Sequence, residues 1–396
     1  MSILRILATG MGWPVYQPGG LNTYFRSICE KLSEIHDLEA MVSSPEQPVH
    51  QGIKIIQATQ PHKMMLMRQW AFRKKAAAIM NSRPIDVLYT HFSPYALGPA
   101  LEAKKRNIPV VMSFHGPWAN ELGVEKLDLV NRLRNSVARK IEMSTYRLGD
   151  RFIVLSQFFK DILHESYGIP LDKIEIVPGA TNIDNFKPAS DRQKTRAELN
   201  IPSDRFVVLT VRRLVKRMGL LNLLEAWKTV VLEEPNSLLL IGGRGPLADE
   251  LKEKIREYGL EQHVRLLGYV PEDQLPLYYQ SSDLFVVPTQ ALEGFGLITI
   301  EALASGVPVV ATPIGGNKEI LTPFDSRFLF KDTSADAIAE GLVRLYRERE
   351  TWPTSEVCRN FVLSKYTWSH AANHVNEVLL RTAGEQNDIM KRMCIS

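Results

Sequence analysis

Short apolar runs rich in β-branched residues alternate with longer stretches of helical periodicity along this chain. Leu4–Thr9, Asp86–Thr90, Pro109–Phe114, Phe152–Leu155 and Ile174–Val177 read as strands, with helices between them. The alternation restarts with Phe206–Val211, Ser237–Ile241, Val264–Leu267, Leu284–Val287 and Val307–Ala311. Apolar strands separated by helices belong in parallel sheets. Two such series predict two α/β domains of the Rossmann-like, doubly wound kind. The break between them falls at Lys187–Asn200, where Pro188, Ser190, Asp191 and a run of charges interrupt the apolar periodicity. The expected organisation is a first domain over 1–188, a second over 189–366, a helix over 367–385 and a tail over 386–396.

Ligands of doubly wound sheets bind beyond the carboxyl ends of the strands, so the residues after each apolar run are the candidates for chemistry. After Leu284–Val287 comes EGFGLITIE, which sets Glu293 and Glu301 eight residues apart across a glycine-rich turn. Leu297–Ser305 reads as a helix stopped by Gly306. Gly294 and Gly296 lack a Cβ, so backbone amides there can approach a diphosphate, and the helix N-terminus adds partial positive charge. Glu301, about one turn into the helix, can accept hydrogen bonds from a ribose diol, and Glu293 can meet a group beyond the phosphates. Taken alone, this pair is matched by a plain strand–loop–helix with Glu301 on a solvated face.

The continuation EALASGVPVVATPIGGNKEI gives a helix, a glycine stop, a strand and a second glycine turn. With EGFGLITIE it closely resembles the donor-binding signature of the retaining family-four glycosyltransferases, whose hallmark is Glu-x7-Glu. The resemblance spans nearly the whole chain and is strongest from Val264 to Ile320. It implies a GT-B fold: two Rossmann-like domains facing one cleft, the first on the acceptor side, the second binding the nucleotide sugar, and a final helix crossing back to the first. Gly294, Phe295, Gly296, Leu297 and Glu301 are then expected to bind the donor, with Glu293 orienting the sugar and stabilising charge.

In TVRRLVKRMGL, Arg212, Arg213, Lys216 and Arg217 concentrate positive charge where a diphosphate would lie, although a solvated basic turn has the same composition. Relatives usually carry Gly-Arg here and a lysine before the later glycine. Arg213 matches the arginine, Met218 stands in the lysine's place, and Arg217 or, in a shifted register, Lys216 is the expected substitute. IGGRGPL supplies Gly243 to a donor-side loop. In the first domain the resemblance assigns Gly19 and Gly20 of QPGGLNTYF to the donor-phosphate and acceptor loop. It assigns His115 of VVMSFHGPW to the active site, in contact with the transferred sugar, without making it a base. Asn182 stands where relatives have Gly-Val-Asp, and a turn is the simpler role for it.

Length and composition change the picture little. The 396 residues, 45% apolar, suffice for two cores. Cys29, Cys358 and Cys394 lie far apart, which supports neither a disulfide framework nor a zinc site and fits reduced thiols. MSILRILATG lacks the extended apolar core of a signal peptide, and no run approaches the ~18 apolar residues of a membrane span, so a cytoplasmic protein is expected. Net charge of +4 without a known binding module argues against nucleic acid. No histidine–carboxylate group has metal-ligand spacing, so no metal or other cofactor is expected, only a nucleoside-diphosphate sugar as donor substrate. The acceptor is expected to be a glycan or a lipid-linked glycan. Between Glu46 and Asp86 there is no acidic residue, while Lys54, Lys63, Arg68, Arg73, Lys74, Lys75 and Arg83 supply positive charge around Met64, Met65, Leu66, Met67, Trp70 and Phe72. This segment is either a peripheral contact with an anionic membrane or an amphipathic helix with its apolar residues packed inside. A GT-B phosphorylase using phosphate as acceptor, and a non-catalytic nucleotide-sugar-binding partner of a membrane assembly, are the alternative functions.

Overall fold

All ten predicted runs become strands of two parallel sheets in the computed structural model. It describes residues 3–117 and 129–395, of which 129–134 and 387–395 are described as helix backbone only. The chain divides into two units, Met1–Gly179 with Trp368–Ser396, and Ala180–Thr367.

The sheet of the first unit is built from β1 (Arg5–Thr9), β2 (Asp37–Ser43), β3 (Lys54–Thr59), β4 (Val87–His91), β5 (Val110–Phe114), β6 (Arg151–Val154) and β7 (Ile174–Ile176). Their order is β3-β2-β1-β4-β5-β6-β7, so the direction of winding reverses between β1 and β4. Strands β2 and β3 were not among the expected five. Glu39 interrupts the apolar pattern of β2; it is 2% exposed and held ionised-pair fashion by Lys54 at 2.7 Å and Arg83 at 3.0 Å. Buried carboxylates survive only when paired in this way.

The second sheet holds β8 (Phe206–Val211), β9 (Ser237–Gly242), β10 (Val264–Gly268), β11 (Leu284–Val287) and β12 (Val309–Ala311) in the order β10-β9-β8-β11-β12. Its winding reverses between β8 and β11. Leu239, Val208 and Val286 of the sheet pack with Leu223, Trp227, Ile338 and Leu342 of its helices. Each such fully buried large side chain contributes about 1.5–3 kcal/mol.

The expected boundary at 188/189 falls too late, because Ala180–Pro188 belongs to the second unit. Thr181 N–H donates to Tyr366 O at 3.0 Å, and the Arg359 guanidinium donates to the carbonyls of Ile183, Phe186 and Ala304 at 2.9–3.1 Å. Charge-assisted bonds to three carbonyls fasten a segment whose own side chains are mostly polar. Asn182 forms the expected turn, its Oδ1 accepting from the amides of Asp184 and Asn185. The chain rejoins the first unit at Trp368. There the helix Trp368–Ile395 packs on Gly20–Ser33 through Tyr24 and bonds Asn376 Oδ1 to His36 Nε2 at 2.6 Å. This helix continues through the residues expected to form a tail. Cys29 and Cys358 are buried and unpaired, and the side chain of Cys394 lies outside the described residues.

Replacing Arg359 by Met removes the bonds to all three carbonyls. We expect a loss of about 2–3 kcal/mol of stability and faster hydrogen exchange confined to residues 181–188, measured by denaturant unfolding and exchange mass spectrometry.

Candidate functional site

The reversal of winding between β8 and β11 opens a crevice at their carboxyl ends, the place where doubly wound sheets take ligands. Four loops meet there. Immediately after β8, Arg212 turns its guanidinium across this crevice, donating from Nη1 to Thr289 Oγ1 and from Nη2 to Glu293 Oε2, both at 2.8 Å. Thr289 Oγ1 donates in turn to Glu293 Oε2 at 2.8 Å. Side-chain exposure is 4% for Arg212 and 15% for Glu293, so the cation lies beneath the carboxylate. At such burial an ion pair fixes geometry strongly, because neither partner can be lost without stranding the other's charge.

The loops are sewn to one another through their backbones. Leu214 N–H donates to Arg244 O, Leu247 N–H to Leu214 O, Gln290 N–H to Arg217 O, and Gly316 N–H to Glu293 O, at 2.8–3.1 Å. Two glycines make this close approach possible. A Cβ on Gly243 (φ 136°) would lie 1.8 Å from Arg212 O, and one on Gly219 (φ 72°) 1.8 Å from Pro288 O. Gly243, expected to contact the donor, is thus first a spacer that lets the β9 loop lie against the β8 loop.

The other expected donor-binding residues divide by exposure. Arg213 and Lys216 are exposed, Arg217 is partly buried and donates to Leu292 O at 3.1 Å, and Met218 packs in the hydrophobic core. Gly296 (φ 98°) caps the helix Leu297–Ala304, whose first amides carry no side-chain cap. Uncapped amides are the anion-binding feature of a helix start. Phe295 is buried against Tyr366, so it offers its backbone and not its ring; Gly294 and Leu297 are partly exposed beside it. Glu301 accepts from Tyr279 Oη at 3.1 Å, and burial pushes its carboxyl up to about 8.

Arg212, expected only as one cation of the basic cluster, is the arginine bonded to Glu293, whereas Arg213, the match to the relatives' arginine, is exposed. Continued past Val211, the strand alternation sends Arg212 and Arg213 to opposite sides, and of the two Arg212 is buried and Arg213 exposed.

The first unit carries its own cluster at the β1/β4 reversal. His91 ends β4, and His115 follows β5, with His91 Nδ1 3.0 Å from His115 Nε2. The ring of Tyr24 meets His115 edge-on at 5.0 Å. Burial lowers His115 to about 3 and His91 well below its ordinary value, so both rings are neutral near pH 7. Gly20 opens the helix Gly20–Ser33, and Gly19 (φ 142°) precedes it with open space where a Cβ would stand. The loop before this helix is held by Asn22, which accepts from Gly12 N–H and donates to Gln17 O. Among the described residues no group of three His, Cys, Asp or Glu side chains is placed to hold a metal ion.

Glu301 gives a stability test with a definite sign. Its folded value of about 8 exceeds its ordinary 4.5, so folding favours the protonated form. That contribution is complete below about pH 4.5 and lost as the pH rises through 8. Glu301→Gln keeps an acceptor for Tyr279 without the charge. Relative to the parent its melting temperature should rise between pH 5 and pH 9, ending about 2–6 °C higher; a pH-independent difference would remove the argument.

Comparison with known proteins agrees with this picture. Residues 191–368 match the family model for glycosyl transferases group 1, and residues 18–185 the model for glycosyltransferase family 4. An uncharacterized glycosyltransferase of Methanocaldococcus jannaschii is 25% identical over 95% of this chain and 97% of its own. The GDP-mannose-dependent alpha-(1-6)-phosphatidylinositol monomannoside mannosyltransferase of Mycolicibacterium smegmatis is 24% identical over 91% and 94%. Among solved structures, sucrose-phosphate synthase of Thermosynechococcus elongatus superposes with a TM-score of 0.79 at 21% identity, covering 95% of this chain and 98% of that one. With both family models matched in sequence, and two parallel-sheet Rossmann-like domains in the structure, the chain belongs to the family-four glycosyltransferases of the GT-B fold.

Proposed function

We propose that this protein moves a sugar, with retention of anomeric configuration, from a nucleoside-diphosphate sugar to a hydroxyl of a lipid-linked glycan at the cytoplasmic surface of a membrane. The observation that carries the reading is the convergence at the β8/β11 reversal of a buried arginine, the Glu293 carboxylate, an uncapped helix start and Glu301 one turn further on.

Each part has a role in that reaction. The helix-start amides at Gly296 and Leu297, with Arg213, Lys216 and Arg217, offset the charge of the leaving diphosphate. Glu301, once ionised, accepts from the ribose hydroxyls. Glu293 is held by Arg212 and Thr289 with its acceptor capacity only partly used, and it orients the sugar and stabilises positive charge developing at the anomeric carbon. In the transfer the bond from the anomeric carbon to the phosphate oxygen breaks as the bond to the acceptor oxygen forms on the same face. The acceptor's proton passes to the departing phosphate oxygen, which supplies the base that His115, with its lowered pKa, cannot readily supply.

The lipid-linked acceptor rests on a surface of the first unit. In the helix Met65–Ser82, Phe72, Ala76, Ile79 and Met80 turn inward, while Leu66, Met67 and Trp70, with Met64 just before the helix, are 58–69% exposed. The apolar residues are therefore not all packed inside. Lys63, Lys74 and Lys75 are exposed around them, with Lys74 Nζ over the Trp70 ring at 5.2 Å. An apolar patch ringed by cations suits an anionic lipid surface. No helix among the described residues is long and apolar enough to cross a membrane.

Glu293→Gln still offers an acceptor to Arg212 and Thr289 but leaves the buried guanidinium's charge unbalanced, so it should fold with a lowered melting temperature while sugar transfer, measured well below that temperature, falls by roughly a hundredfold or more. Parent-like turnover in a Gln variant that is folded at the assay temperature would contradict the assignment. For the membrane surface, we expect the protein to sediment with phosphatidylglycerol vesicles at low salt, with a blue shift of tryptophan emission that Trp70→Ser removes. Equal affinity for neutral vesicles, or none for either, would detach the acceptor from the membrane.

A further inference from the structure

Two neutral histidines in contact share a single proton across that contact, and the surroundings of the two rings distinguish which of them provides it. His91 is 1% exposed at the end of β4, paired in register with Ser113 of β5. His115 lies two residues beyond Ser113, so the strand alternation brings both rings to the same face of the sheet. The only hydrogen bond joining them runs between His91 Nδ1 and His115 Nε2, at 3.0 Å.

The other nitrogen of His91 decides the direction. His91 Nε2 is buried and finds no hydrogen-bond partner among the described residues. Around the His91 ring stand those of Tyr89, Phe25 and Tyr24, with centroids 4.4, 4.9 and 5.9 Å from its own. If the proton of His91 sat on Nε2, an N–H donor would be buried among aromatic rings without an acceptor. Orphaned buried N–H groups are the rarest of unsatisfied groups, whereas a bare lone pair is better tolerated. The proton therefore belongs on Nδ1, from which it is donated to His115 Nε2.

We infer that His91 is a positioning residue that fixes the tautomer of His115. With Nε2 occupied as an acceptor, neutral His115 carries its own proton on Nδ1. Partly exposed, His115 thus presents an N–H donor, suited to an oxygen of the transferred sugar or the acceptor, and its lone pair is already engaged by His91. The same residue without this partner would exchange freely between a donor and an acceptor form.

The tautomer can be read without any turnover, so this inference and the proposed function stand or fall separately. The measurement is a long-range proton–nitrogen correlation on full-length protein labelled with 15N-histidine. His115 should show the Nδ1–H pattern at all pH values from 6 to 8. His91→Phe, which keeps a ring but no donor, should convert His115 to a mixture or to the Nε2–H form. His91→Asn, whose amide can occupy the position of Nδ1 and donate, should restore the Nδ1–H form. If the protein transfers sugar as proposed, the Phe variant should lose kcat by on the order of tenfold with little change in KM for the donor, and the Asn variant should regain most of it. An Nε2–H pattern for His115 in the parent protein, or an unchanged pattern in a folded Phe variant, would overturn the inference. Absence of any transfer by the parent protein, with the tautomers as described, would instead overturn the proposed function.

Discussion

The pairing of Arg212 with Glu293 ties together the two loops between which the winding of the second sheet reverses. A guanidinium that is almost wholly buried bonds a carboxylate that is only mostly so, and Thr289 closes the triangle. The Gly316 amide, the Arg217–Leu292 contact and the bonds of Thr289 and Gln290 to Thr312 and Thr333 further hold the Glu293 loop. The close passage of the loops, enforced at Gly219 and Gly243, explains why so much of this region is glycine: backbone must pass backbone with no Cβ between.

The same logic of a buried group steering an exposed one recurs in the first unit. There His91 lies beneath His115, as Arg212 lies beneath Glu293, and in both pairs the buried member comes from the residue at or immediately after a strand's carboxyl end. These positions are fixed by the sheet itself, which is rigid, while the outer member sits on a loop that can respond to a ligand. The arrangement gives a glycosyltransferase prepositioned polar groups at little cost in flexibility.

Much of this was legible in the sequence, for identifiable reasons. Runs such as Val207–Leu209 and Phe285–Val287 are apolar on both faces, which leaves a parallel sheet as the natural reading, and EGFGLITIE carries its geometry in its spacing. Strand β2 is hidden in the sequence because Glu39 breaks its apolar pattern and is paired with Lys54 and Arg83, which only the fold brings near. The domain boundary is obscured because Ala180–Pro188 is polar like a linker yet is captured by Arg359, far along the chain. Matching by motif position selected Arg213, while burial selects Arg212. On the helix Met65–Ser82 the apolar residues point both inward and outward, and composition alone could not separate the two sets.

The proposed diphosphate cradle at the β8/β11 reversal is tested most directly by calorimetric titration of the intact protein with matched nucleoside mono- and diphosphates. One of UDP, GDP or ADP should bind at least about tenfold more tightly than its monophosphate, since the helix-start amides and cations gain a second anionic group, and the preference should shrink as salt is raised. Equal affinity for mono- and diphosphate, or no binding by any of the three, would contradict the cradle.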